Sequence, residues 1–256
     1  MYKRQVHLHY DQYSDMMSHI NCDKKLITSH YPNLENPEPQ YLFLYDLLKN
    51  SGAHIVCLSD RIEKEFVNRG CDSTNVSILP CGIDVDLYSI DEEDVLYPDR
   101  SVVVGKIEPR KRQAFLQHKG LCIDFIGNNS DINFDVSDPC YFGEQSKQDI
   151  MDNLTSYANM VLLSSGEAHP FVCLEGMAAG LGLVLSEQST ANLDLDKPFI
   201  TVIPDNKLND TDYLKDKIKE NREISLTMRK DIRQYCKDNF DWCVIMNKYK
   251  DIIEKI

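Results

Sequence analysis

The sequence predicts an α/β protein in which a Rossmann-type parallel-sheet domain follows a smaller α/β domain and ends in helices. Three observations carry this. Short apolar runs rich in β-branched residues alternate with longer helical stretches. The runs are near-continuously hydrophobic, as strands covered on both faces are. Turn residues close one stretch before the next begins.

The order can be followed along the chain. KLITSH (25–30) reads as a strand, YLFLYDLLKNSG (41–52) as a helix, HIVCLS (54–59) as a strand and DRIEKEFVNRG (60–70) as a helix. Then come strands NVSILP (75–80) and RSVVVGKI (100–107), helix KRQAFLQHKG (111–120), strand CIDFIG (122–127), helix SKQDIMDNLTSYA (146–158) and strand NMVLLSS (159–165). After Ser186 the pattern loosens into helical sequence to the end of the chain. The acidic, turn-rich stretch 82–100 reads as a linker, which divides the chain into residues 1–90 and 91–256. The first part has room for two or three strands, and its first glycine is Gly52, so it carries no Gly-rich phosphate turn near its start.

Composition narrows the function classes. The 28 basic and 41 acidic residues leave a net charge of −13, which repels nucleic acid and anionic lipid. No run approaches the roughly 18 apolar residues of a membrane span, and MYKRQVHLHY is too polar for a signal peptide. The nine cysteines form no CxxC pair, which fits reduced thiols in a cytoplasmic protein rather than a zinc site or a disulfide framework.

Two stretches concentrate chemistry. In VVVGKIEPRKRQ (102–113) an apolar strand ends at Gly105 and is followed by Lys106, Arg110, Lys111 and Arg112. Such a cationic loop at a strand end suits a phosphate, although a solvated basic loop has the same appearance. In GEAHPFVCLEGMAAG (166–180) a loop leads into a helix opening near Pro170, with Glu167 before it and Glu175 within its first turns. The unpaired amides of a helix start favour an anion, and a carboxylate there can accept hydrogen bonds from hydroxyls. Glutamates are common in a chain this acidic, and the helix dipole favours early-turn acids on its own account.

Together these stretches, with NVSILPCGIDVDLY (75–88), CIDFIGNN (122–129) and 141–165, resemble in order the nucleotide-binding half of the retaining GT-B-fold glycosyltransferases, the sucrose-synthase and mannosyltransferase-like group. The resemblance covers about residues 54–190 and is most specific in the last motif, which parallels the family's E-G-F-P-x-x-x-x-E-A-M-A-x-G. It implies a GT-B-like fold and a metal-independent enzyme that needs no cofactor beyond its donor substrate, a nucleotide-diphosphate sugar whose sugar passes to a carbohydrate or glycan acceptor. Carried over, it implies that Lys106, beside Gly105, and Lys111 contact the diphosphate. Glu167 would bind hydroxyls of the transferred sugar, loop amides around Pro170, Phe171 and Val172 the diphosphate, and Glu175 the ribose. His169 stands where the family has an aromatic residue, and as a lone histidine it reads as a packing or hydrogen-bonding residue rather than a base. Lys106 replaces the family's usual Arg and so lacks the bidentate fork.

The amino-terminal part resembles the second half of the family's acceptor domain, with His30 and Ser59 on its T-x-H and V-S positions. In the family a histidine near His30 lies by the reacting sugar; a structural strand-end histidine is the other reading. His7 and His9 alternate along an expected strand, so one of them faces the core. The missing first strands and Gly loop imply a reduced acceptor domain. That leaves open a nucleotide-sugar-binding protein without turnover, or one half of an enzyme completed by a partner chain. A sugar-nucleotide epimerase is a further alternative. The triplets DVD (84–86), DLD (194–196) and DTD (210–212) fit a metal motif of another glycosyltransferase fold, but an Asp-rich chain produces such triplets by chance, and no metal is expected.

Overall fold

The computed structural model describes residues 5–9, 11–30, 39–90 and 95–256. Residues 1–4 of the stretch weighed as a signal peptide, and 91–94 of the expected linker, lie outside the described residues. The strands are β1 (Gln5–Leu8), β2 (Lys24–Ser29), β3 (His54–Cys57), β4 (Val76–Ile78), β5 (Tyr97–Val104), β6 (Ile123–Ile126), β7 (Tyr157–Leu162), β8 (Gly182–Ser186) and β9 (Ile200–Ile203). The α-helices are α1 (Pro39–Lys49), α2 (Asp60–Asn68), α3 (Gln113–Gln117), α4 (Lys147–Asn153), α5 (Phe171–Ala178), α6 (Thr211–Thr227), α7 (Arg229–Phe240) and α8 (Trp242–Lys255). The chain divides into two compact units: Met1–Gly82 with Gly166–His169 and Trp242–Ile256, and Ile83–Ser165 with Pro170–Asp241.

The first unit is built on a parallel sheet ordered β1-β2-β3-β4. Its four strands exceed the two or three for which the sequence of residues 1–90 shows room, the fourth being β1, the strand expected around His7. QVHL carries two apolar residues, too few for a buried parallel strand, but at the edge of a sheet it pairs on one side only. His7 anchors that edge, with Nε2 at 2.7 Å from Thr28 Oγ1 on β2 and Nδ1 at 2.9 Å from Tyr249 Oη on α8. His9 is exposed. One face of the sheet packs Ile27, Ile55 and Cys57 against Leu48 and Tyr45 of α1 and Ile62 and Phe66 of α2. The spacing of Ile62 and Phe66 puts both on one side of α2, whose first turn carries Asp60 and Glu63 where a helix favours negative charge. On the other face Leu26 and Val56 meet Ile252 and Tyr249 of α8.

The second unit holds a parallel sheet ordered β6-β5-β7-β8-β9. From β5 the chain crosses to one side to form β6, then to the other for β7, β8 and β9, so the winding reverses beside β5. In open α/β sheets ligands bind outside the carboxyl ends of the strands at such a reversal. Val103, Ile123, Phe125, Val161 and Val184 form the core on one face with Leu214 and Ile218 of α6. The helix α6 starts at Asp210, whose carboxylate accepts from the Tyr213 amide at 3.1 Å, and it buries Leu214, Ile218, Asn221 and Ser225 at alternating spacings of four and three. Strand β9 falls in sequence read as loosening toward helix. It is four residues long and bounded by Pro198 and Pro204, yet it extends the sheet beside β8.

The three aspartate triplets stabilise local turns. Asp84 accepts from the Asp86 amide at 3.2 Å, Asp194 from the Asp196 amide at 3.1 Å, and Asp210 caps α6. No helix among the described residues is long and apolar enough to cross a membrane.

Candidate functional site

The site in the second unit grows from the reversal beside β5. Strand β5 ends in Val104, and Gly105 follows with φ of +130°, a conformation open to glycine and costly for other residues. The loop then turns through a short 3₁₀ segment at Pro109–Lys111. Buried Gln113 holds it from beneath: its Nε2 donates to the Lys106 carbonyl at 3.0 Å and its Oε1 accepts from the Glu108 amide at 3.3 Å. Two of the four cations fold back on the end of β7. Arg112 donates to the Leu163 carbonyl at 3.0 Å, and Arg110 donates to Ser164 Oγ at 3.2 Å and pairs with Glu108 at 2.7 Å. The Arg110 carbonyl in turn accepts from the Ser165 amide at 2.9 Å.

Lys106 and Lys111 are left over. Neither ammonium group has a hydrogen-bond or ion-pair partner among the described residues, and Lys106 is exposed while Lys111 is half-buried. The Lys111 ammonium stands 3.0 Å from the position of a Cβ on Gly105, so the absent side chain is what admits it to the strand end. Beside them a cavity of about 410 Å³ is lined by Gly105, Lys106, Gly127, Asn128, Glu144 and Gln145 among others. Two ammonium groups at the carboxyl end of a central strand, in a chain of net charge −13, make a local concentration of positive charge.

Helix α5 follows the adjacent strand β7, so its start lies at the same edge of the sheet. Pro170 is its N-cap and Phe171 its first residue; the Cys173 amide bonds back to the Pro170 carbonyl at 3.0 Å. Glu175 sits one turn in and is 8% exposed. Its Oε1 accepts a 3.0 Å hydrogen bond from the buried Tyr88 hydroxyl and an ion pair from Lys147 at the start of α4. The Lys147 ammonium also donates to the Tyr88 oxygen at 2.7 Å and lies 5.3 Å from the ring centres of both Tyr88 and Phe171. Burial, and next the charge of Glu175, push the Tyr88 hydroxyl well above the usual tyrosine range, so it stays protonated and donates.

The remaining predicted residues lie in the first unit. His169 is buried and its Nδ1 accepts from the Cys81 amide at 2.9 Å; burial lowers its pKa to about 4, so the ring is neutral at pH 7 with its proton on Nε2. Glu167 is half-buried two residues earlier. His30 is exposed immediately after β2, and Ser59 is the buried N-cap of α2. Gly105, Lys106 and Lys111 are thus gathered at one strand end, and Pro170, Phe171, Val172 and Glu175 at the start of the helix that follows its neighbour.

Neither a protein-family model nor a curated protein matches the sequence. Solved structures do. The chain superposes on HepE of Anabaena in complex with UDP-glucose with a TM-score of 0.77 at 12% identity, covering 99% of this chain and 79% of HepE. Sucrose-phosphate synthase from Thermosynechococcus elongatus gives a TM-score of 0.76 at 15% identity, covering 98% and 73%. WaaG, a glycosyltransferase involved in lipopolysaccharide biosynthesis, gives 0.67 at 16% identity, covering 93% and 79%. The chain has the GT-B fold.

Within that GT-B fold, two residues at Glu175 escape a reading of the sequence. Tyr88 precedes it by 87 positions and Lys147 by 28, and nothing local ties either of them to Glu175. The one available hint is the pairing of Ser146 with Asp149 as a capping box, which fixes Lys147 as the first residue of α4.

Proposed function

We propose that the chain is a glycosyltransferase that moves a sugar from a nucleotide-diphosphate donor to a hydroxyl of a carbohydrate acceptor, with retention of anomeric configuration and without a metal. The observation that carries this reading is the pair of unpartnered ammonium groups, Lys106 and Lys111, at the reversal beside β5, on the sheet edge where α5 presents Glu175. That the structural neighbours include a protein bound to UDP-glucose supports the donor class.

In this reading the diphosphate takes hydrogen bonds and charge from Lys106, Lys111 and the amides opening α5, and the ribose hydroxyls meet Glu175. The bond between the anomeric carbon and the leaving phosphate oxygen breaks, with its electron pair going to the diphosphate. The two lysines stabilise the charge as it develops. The acceptor oxygen attacks the same face of the sugar and gives its proton to the leaving phosphate. The resemblance further assigns sugar hydroxyls to Glu167 and the neighbourhood of the reacting carbon to His30. The neutral ring of His169 serves as a fixed structural contact and not as a base.

Turnover tests the reading. The protein is incubated with UDP-, GDP- and ADP-sugars and a panel of glycan acceptors, and release of free nucleoside diphosphate is followed together with the anomeric signal of the product. Acceptor-dependent release with the donor's own configuration is expected, and it should fall at least 100-fold in Lys111→Ala. No release from any donor, with no thermal stabilisation by any of them, would remove the proposal.

A further inference from the structure

We infer that Lys147 is a second ribose ligand, which together with Glu175 forms a donor–acceptor pair that reads the two hydroxyls of a ribonucleotide. The inference rests on the proposed donor site and adds a residue to it.

The hydrogen-bonding capacity of Glu175 is already half used. A carboxylate that grips a vicinal diol alone offers one oxygen to each hydroxyl. Here Oε1 already accepts from both Tyr88 and Lys147, and no group among the described residues donates to Oε2. Glu175 therefore keeps one oxygen for a ligand. Lys147 has three N–H donors. One goes to the Tyr88 oxygen and one to Glu175 Oε1, while the third has no partner among the described residues. The Lys147 side chain is 56% exposed and so open to a ligand from solvent, whereas that of Glu175 is 11% exposed.

Rigidity makes the pair usable. Lys147 is fixed at the first position of α4 by the Ser146–Asp149 capping box, in which Ser146 Oγ accepts from the Asp149 amide at 3.1 Å. Its ammonium is flanked by the Tyr88 and Phe171 rings. Phe171 opens α5, so the cation also stands beside the helix start proposed for the diphosphate. Lys147 offsets the carboxylate charge that an anionic donor would otherwise meet. A hydroxyl that accepts from Lys147 while its neighbour donates to Glu175 Oε2 completes both residues.

The test is a titration of wild type, Lys147→Met and Lys147→Gln with UDP, GDP and ADP, each beside its 2′-deoxy and 3′-deoxy counterparts. In wild type each missing hydroxyl should weaken binding about tenfold or more. In both variants the ratio for one of the two hydroxyls should collapse to about one, while the other persists and Lys147→Arg restores part of the lost discrimination. If the variants weaken all three ligands by the same factor, Lys147 merely supports the fold of the site and the inference is overturned. Unchanged ratios overturn it as well. Wild type that binds none of the nine ligands would instead sink the donor-site reading on which the inference stands.

Discussion

Gly127 lies so close to Gly105 that a Cβ at residue 127 would stand 2.1 Å from the Gly105 carbonyl oxygen. The loops leaving β5 and β6 are pressed together there, with the Gly105 amide donating to the Ile126 carbonyl at 2.9 Å, and both glycines line the cavity beside Lys106. Gly127 also has φ of +148°. Gly127→Ala should therefore cost about 3 kcal/mol, from overlap and backbone strain together. Gly120, with φ of +64° and open space where a Cβ would go, is the control, and its Ala variant should cost about 1 kcal/mol. Urea unfolding midpoints of the two variants decide the matter, and equal losses would contradict the close approach.

Arg229 is 3% exposed and donates to the carbonyls of Thr155, Tyr157 and Ala179 and to Thr155 Oγ1. It thereby ties the end of α5 to the start of β7. Arg229→Met removes the donors and leaves buried carbonyls unpaired, at a cost of about 3 kcal/mol. Lys at this position cannot reproduce the planar fork and should recover less than half of the loss. Chemical denaturation of the two variants measures both.

What was legible in the sequence followed local chemistry. The strand ending at Gly105, the cations after it and the helix opening at Pro170 each announce themselves within a few residues, because apolar runs, glycine and proline act locally. The convergence of Tyr88 and Lys147 on Glu175 is a product of chain crossing and leaves no local mark. The division of labour among the cations was equally hidden, since what the folded loop places within reach of Arg110 and Arg112 is not marked in the sequence around them. The strand ITVI escaped for another reason: cut short by prolines, it lacks the long apolar run that marks a central strand. The strand expected around His7 is QVHL, at a sheet edge.

Acid should weaken the first unit. Burial lowers the pKa of His169 to about 4 and that of His7 to about 4, the latter aided by His9 and His30, and burial also lowers His54. These groups ionise more readily in the unfolded chain, at about 6.5. Between pH 6.5 and 4 the unfolded state binds more protons, so stability present above pH 6.5 is lost as pH falls. His169 alone contributes up to about 3 kcal/mol to that loss. Trp242, the chain's single tryptophan, packs on Gly82 in this unit and reports its unfolding. Tryptophan-monitored melting should shift downward between pH 7.5 and 5, and His169→Gln, which keeps an acceptor for Cys81 without a titrating ring, should flatten the slope. A slope unchanged in that variant would contradict the assignment.

The proposed function stands on Lys106 and Lys111 holding a diphosphate. Isothermal titration of UDP, GDP and ADP, and of the matching nucleosides, into wild type and Lys111→Ala tests it most directly. At least one diphosphate should bind wild type with an affinity that falls as salt rises, and the variant should bind it tenfold or more weakly while nucleoside binding is unchanged. Equal diphosphate affinity in the two proteins would contradict the account.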